Sequence, residues 1–209
     1  MSVITSLTLQ KKRKDRWNLE VDGEFLTGLY ADEIGKFDLY KGKEISQKEV
    51  EEIVASSELG LLFDKTLRFL SFRPRSVREI RTYLKKKDVH EDLQDLVINR
   101  LQEKKYLDDV SFAKWWIEQR SQFRPKGKRV LTAELRQRGV ALDDIEEAFA
   151  QATQPSEEDL CLQVAENKKT RLTSYPREVA RKKLFSALLR RGFSYDSVKD
   201  VIDKVYGNE

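Results

Sequence analysis

Three stretches of the chain, FRPRSVREI from Phe72, FRPKGKRVL from Phe123 and SYPREVARKKL from Ser174, place Pro74, Pro125 and Pro176 at equal intervals of 51 residues. An equal interval of that size marks a repeat architecture, in which each unit is one supersecondary element stacked on its neighbours. Proline has a fixed φ and no N–H, so it suits the first turn of a helix and harms its interior. Each proline is therefore expected to stop one helix and sit in the first turn of the next, with Ser76 as a cap beside Pro74. On that placement Pro125→Ala costs under about 1 kcal/mol, because no interior hydrogen bond changes.

The far end of the same helix repeats as well. KKDV at 86–89, QRGV at 137–140 and RRGF at 190–193 put Asp88, Gly139 and Gly192 where a helix needs a left-handed stop. Asp88 tolerates that conformation less well than glycine does. Proline to stop spans 14 residues in the first two units and 16 in the third, so the third helix pair carries an insertion.

Apolar residues three and four apart surround these second helices and predict three short helices per unit. In the first unit the stripes are Leu67 and Leu70, then Val77, Ile80 and Leu84, then Leu93, Leu96, Val97 and Leu101. The second offers Phe112, Trp116 and Ile117, then Leu131 and Leu135, then Ile145, Ala148 and Phe149. The third offers Leu160 and Val164, then Val179, Leu184 and Leu188, then Val198, Val201, Ile202 and Val205. Each unit reads as one three-helix bundle.

Ahead of the repeats, WNLEV and EFLTGLY flank Asp22-Gly23 as two strands flank a type I′ turn, which predicts a small antiparallel β module. Ser46 followed by Glu49 is a capping box, so a helix starts there, running towards Ser57. The organisation expected is a β-hairpin module with a short helix over 1–58 and three-helix repeats over 59–108, 109–154 and 155–209. The fold class is mainly α, with tandem three-helix bundles in an elongated array. A charged fraction of 36% supports elongation, since an array has more surface to cover than one globule.

Charge is distributed unevenly. Residues 1–60 sum to −3, while 61–109, 110–154 and 155–209 sum to +3, +2 and +2. The excess gathers on the second helix of each unit and its approach. The first window holds Arg73, Arg75, Arg78, Arg81, Lys85, Lys86 and Lys87. The second holds Arg120, Arg124, Lys126, Lys128, Arg129, Arg136 and Arg138. The third holds Arg177, Arg181, Lys182, Lys183, Arg190 and Arg191. Third helices begin acidic instead, as in Asp143-Asp144. Helix dipoles explain acids at a start and bases at an end, but they disfavour Arg75, Lys126 and Arg177, each directly after its proline. A line of cationic edges facing an anionic partner is the functional reading of that excess. Reversing these three to glutamate is then expected to leave folding stability nearly unchanged.

Catalytic chemistry finds little to use. His90 is the single histidine and lies in a polar turn, so no Ser-His-Asp, Cys-His or multi-histidine metal site can be assembled. No glycine motif for cradling phosphate occurs. Asp108-Asp109 precedes VSFAKWWIEQR and reads as capping that helix. Trp115 and Trp116 have the spacing of core aromatics rather than of a base-stacking surface. Cys161 reads as core, with no possible disulfide. Without a membrane span or a secretory leader, a cytoplasmic protein is expected.

Together these residues resemble the RecX family of recombination regulators. The pieces that carry the likeness are the hairpin module running to GLYADEI, TLRFLSFRPRSVREIRTYLKKK, NRLQEKKYLDDVSFAKWWIEQR with its YLDD, and KGKRVLTAELRQRGV before an acidic helix. Lys105 and Asp88 stand where family members often have glycine, and the third repeat is looser. The resemblance implies tandem three-helix repeats, curved to lie along the groove of a RecA filament on DNA. It implies inhibition of the filament's ATP hydrolysis, strand exchange and coprotease activity, a place in DNA recombination, repair and the SOS response, and weak binding to single- and double-stranded DNA. No cofactor, metal or catalytic residue is expected, and the protein is expected to be a monomer. The alternative is a sequence-independent or helix-turn-helix-like DNA-binding protein acting without RecA, against which the acidic third helices count.

Overall fold

The structure, a computed structural model, describes residues 1–207. Strands β1 (Ser2–Leu9), β2 (Arg16–Val21), β3 (Glu24–Tyr30) and β4 (Glu44–Ile45) form one antiparallel sheet in the order β3-β2-β1-β4. The turn between β2 and β3 is the expected one: Asp22 and Gly23 both have positive φ, 52° and 86°. The short helix α1 (Ala31–Lys36) follows β3. Ile4, Leu19, Leu29, Leu39, Ile45 and Ile53 form the buried core of this module.

The helix opened by the Ser46–Glu49 capping box is longer than expected. Both reciprocal bonds are made, Ser46 N–H to Glu49 Oε2 at 2.8 Å and Glu49 N–H to Ser46 Oγ at 3.2 Å. The helix, α2, then runs without a break from Gln47 to Ser71 rather than ending near Ser57. Contacts with the sheet module run along it. Ser57 Oγ donates to Gly28 O at 2.6 Å, and the Tyr30 hydroxyl donates to Asp64. Gly60 lies under the Tyr30 ring, where a Cβ would sit 3.1 Å from a ring carbon, which explains a glycine inside a helix. Burial and the bond to Asp64 push the Tyr30 phenol up to about 12.

The remaining helices are α3 (Val77–Lys85), α4 (Glu91–Glu103), α5 (Asp109–Phe123), α6 (Lys128–Gln137), α7 (Leu142–Gln151), α8 (Glu157–Lys169), α9 (Arg177–Arg190) and α10 (Tyr195–Tyr206). The chain divides into two compact units, residues 1–73 with 84–106, and residues 74–83 with 107–207. The second unit has two separate cores. Phe112, Ile117, Leu131, Leu135 and Ile145 belong to the core of α5–α7, and Leu160, Val164, Leu184, Leu188 and Val198 to that of α8–α10. Cys161 is fully buried in the latter, and burial pushes its thiol up to about 12. Two positions assigned to apolar stripes are not core: Leu96 is 53% exposed and Val179 39%.

The left-handed stops are present at Asp88, Gly139 and Gly192, with φ of 55°, 85° and 89°, and Lys105 is another at 58°. The prolines are placed differently from expectation. Ser76 and Gly127 are the caps of α3 and α6, so Pro74 and Pro125 precede their caps by two residues, whereas Pro176 is itself the cap of α9. None lies in a first turn. Counted back from the stop, α9 starts four residues earlier than α6, which is where the insertion lies and why Val179 is left outside the core.

Candidate functional site

The basic residues at the starts of the second helices have partners in the second unit that explain their position. Ser76 Oγ donates to Arg138 O at 2.7 Å, and Arg78 Nη1 to Gln137 O at 3.3 Å. One repeat later, Gly127 N–H donates to Arg191 O at 3.0 Å, and Arg129 Nη2 to Leu189 O at 2.9 Å. The starts of α3 and α6 are thus docked on the ends of α6 and α9, the second helices of the following repeats. A helix end leaves carbonyls without partners and carries the negative pole of the dipole. Arg78 and Arg129, ill placed for their own helices, are well placed for the next.

The joints are tight because the stops are glycine. A Cβ on Gly139 would meet the Arg78 side chain at 2.6 Å, and one on Gly192 would meet Val130 Cγ2 at 2.5 Å. Pro125 is buried in the second joint, and its carbonyl accepts from Arg191 Nη1 at 3.3 Å. Its role is tertiary, so the expectation of a nearly silent Pro125→Ala change does not hold for this geometry. The third repeat is bonded differently. There Arg177 donates to Tyr206 O and Arg181 Nη2 to Asp203 Oδ1 at 2.8 Å, so the end of α10 is capped from within its own bundle.

Lys126 is engaged too. It donates to Glu134, which also accepts from Trp116 Nε1 at 2.9 Å and Arg120 Nε at 3.1 Å. Burial opposes ionisation of Glu134. The bonds from Lys126 and Trp116 and the charges of Lys126 and Arg120 outweigh it, holding the carboxyl below its ordinary range. Guanidinium groups of Arg120 and Arg138 flank the Trp116 ring, 4.3 and 3.8 Å from its centroid, and Arg138 Nε lies 3.8 Å from Glu79. Trp115 and Trp116 both pack on the α5–α7 core, as their spacing predicts.

Asp108 caps α5, accepting from Ser111 N–H at 2.7 Å. Asp109 has a role that its sequence position does not reveal: its Oδ1 accepts from Val77 N–H at 2.9 Å, capping α3 from another helix. Asp109→Ala is expected to lower stability by about 1 to 2 kcal/mol, in the range of a lost helix cap. Denaturant melts that match the original chain would refute that role.

Of the other expected site residues, Arg73, Arg75 and Arg81 are engaged in contacts. Lys85, Arg124, Lys128, Arg136, Lys182 and Arg190 are exposed, and among the described residues their side chains make no hydrogen bond or ion pair. Lys128 lies 5.2 Å from the centre of the Phe149 ring. Two further cations, the half-buried Lys168 and the exposed Arg171, lie outside the basic windows of the second helices. The run KKTR at 168–171 is their signal in the sequence. No helix among the described residues is long and apolar enough to cross a membrane.

Comparison with known proteins gives the repeats a family. Four family models match successive parts of the chain: the regulatory protein RecX N-terminal domain over residues 2–46, and the first, second and third RecX three-helix domains over 63–101, 108–148 and 156–202. A relative from Bacillus subtilis named "Regulatory protein RecX" is 34% identical, with all of this chain and 80% of that protein aligned. Another of that name from Leuconostoc mesenteroides is 32% identical over 98% of this chain and 76% of its own. A crystal structure of regulatory protein RecX superposes with a TM-score of 0.82 at 25% identity, covering 97% of this chain and all of the other.

Proposed function

Because this chain belongs to the RecX family, we propose that it is a non-enzymatic modulator of RecA, mainly an inhibitor, that binds along the groove of the RecA–DNA filament in the cytoplasm. On this reading it acts as a monomer and restrains ATP hydrolysis, strand exchange and coprotease activity, with DNA contributing a weak, electrostatic share of the contact. Basic residues of the three windows supply the binding contacts, and two kinds stand out among them. Arg78, Arg129, Arg177 and Arg181 are held on carbonyls or a carboxylate of the protein itself and brace the helix ends they meet. Lys85, Arg124, Lys128, Arg136, Lys182 and Arg190 face the partner.

The observation that carries the proposal is this second set, exposed cations with no internal bond in a chain whose positive excess lies in its repeats. Surface charges contribute at most about 1 kcal/mol each to folding, whereas a set neutralising about six phosphates makes affinity fall as roughly the fifth power of salt concentration. Lys85, Lys128 and Arg136 changed together to glutamate should shift the melting temperature by only a few degrees. The same variant should need about tenfold more protein to inhibit RecA ATPase on single-stranded DNA. Glu146→Lys with Asp200→Lys is the control and should inhibit like the original chain. Full inhibition by the basic-residue variant at physiological salt would end the proposal.

A further inference from the structure

Two adjoining clefts in the second unit are lined by cations and by no acidic residue among those described. The larger, about 550 Å³, lies between the end of α8, the turn after it and one face of α9, with Lys168, Arg171, Lys182, Lys183 and Arg190 on its walls. The second, about 320 Å³, shares Lys168 and Arg171 and continues to the end of α5 through Phe123, Arg124 and Arg191. Two of these seven cations have local explanations. Lys183 lies 4.1 Å from the centre of the Tyr175 ring, and Arg191 donates to Pro125 O. The side chains of Arg124, Lys168, Arg171, Lys182 and Arg190 make no hydrogen bond or ion pair with any described residue.

Like charges gathered in a concave site repel one another, and concave walls focus their field. A single small anion would occupy part of such a path, whereas a chain of evenly spaced negative charges fits all of it. Phe123 supplies the second observation. Its ring is 68% exposed on the lining of the smaller cleft, beside Arg124. Isolated exposed apolar residues are ordinary, but this one recurs. Phe72, 51 residues earlier, precedes Arg73-Pro74 as Phe123 precedes Arg124-Pro125, and it is 78% exposed. Tyr175, 44% exposed, stands directly before Pro176. A phosphate-binding path with an aromatic ring open beside it suits unpaired bases, since a duplex hides the faces of its bases.

We propose that the cleft between the end of α5, the end of α8 and α9 binds a single strand of nucleic acid, with phosphates on Arg171, Lys182 and Arg190 and one base stacked on Phe123. The assignment rests on the reading above that the protein works on a nucleoprotein filament, but its test contains no RecA. Binding of the full chain to a labelled oligothymidylate about 15 nucleotides long is measured by anisotropy, with a duplex of equal length alongside. Arg171→Glu with Lys182→Glu should weaken the oligothymidylate at least tenfold.

Phe123→Ala should weaken it about fivefold or more, the range for losing one stacked base, and leave the duplex within about twofold. Phe123→Trp should retain binding, and melting curves establish that each variant is folded. Equal losses on both ligands for Phe123→Ala, unchanged binding by the charge variant, or displacement of the oligonucleotide by an oligoglutamate of equal charge would each overturn the site. An oligouridylate should bind within a few fold, and binding of RNA without DNA would overturn its assignment to the filament's DNA. Failure here with intact loss of inhibition in the Lys85, Lys128 and Arg136 variant removes the cleft and leaves the proposed function standing.

Discussion

Replacing Gly127 with alanine is expected to undo the joint between the second and third repeats. The added methyl would lie 2.0 Å from Gly192 O, 2.2 Å from its carbonyl carbon and 2.3 Å from Phe193 N, all backbone atoms that no rotamer change can move. Gly127 has an ordinary φ of −71°, so closeness alone demands the glycine. To admit the methyl, α6 and the end of α9 must separate, straining or breaking the Gly127–Arg191 and Arg129–Leu189 bonds. A loss of about 3 kcal/mol or more is expected, seen as a fall of about 10 °C or more in the melting temperature. Gly35→Ala in α1 is the control, since nothing lies within 4 Å of where its Cβ would sit, and it should be neutral or slightly stabilising. A Gly127→Ala protein melting within a degree or so of the original would mean that the joint does not hold the repeats together.

Lys126→Glu is expected to be the most damaging single charge reversal in the basic windows of the second helices and their approaches. It places a second carboxylate against Glu134, whose side chain is only 17% exposed, and removes the ammonium now bonded there. Breaking a buried pair costs about 3 to 5 kcal/mol, and Lys126, 30% exposed, reduces that to about 2 to 4. The expectation that Arg75, Lys126 and Arg177 can be reversed without loss of stability is therefore corrected by the structure. Lys126 holds Glu134, and Arg177 caps α10.

The milder change Lys126→Met carries a pH signature. The Glu134 carboxyl is held below its ordinary range, so its stabilisation is present above the unfolded value of about 4.3 and is lost as pH falls through the folded one. Denaturant melts of Lys126→Met and the original chain should therefore differ at neutral pH and converge as pH falls below the ordinary carboxylate range and Glu134 is protonated. A difference that is constant with pH would show that the lost stability comes from packing of the lysine stem instead.

Features carried by adjacent residues are legible in the sequence alone. The Asp22-Gly23 turn, the Ser46–Glu49 capping box, the stops at Asp88, Gly139 and Gly192, and most of the apolar stripes follow from local backbone sterics and helical period, which act over a few residues. Pro176 shows where that reasoning thins: equal spacing suggests equal roles, yet α9 starts four residues earlier against its stop and turns the proline into its cap. What the cations do is decided only in three dimensions. Arg78, Arg129 and Arg191 bond to carbonyls 59, 60 and 66 residues away. At that separation chain periodicity shows that a charge is present but not which helix end it meets. The cationic cleft is hidden for the same reason: the basic windows and the KKTR run show the charges of Arg124, Lys182 and Arg171, but these come from separate segments that meet only when α5, α8 and α9 pack together.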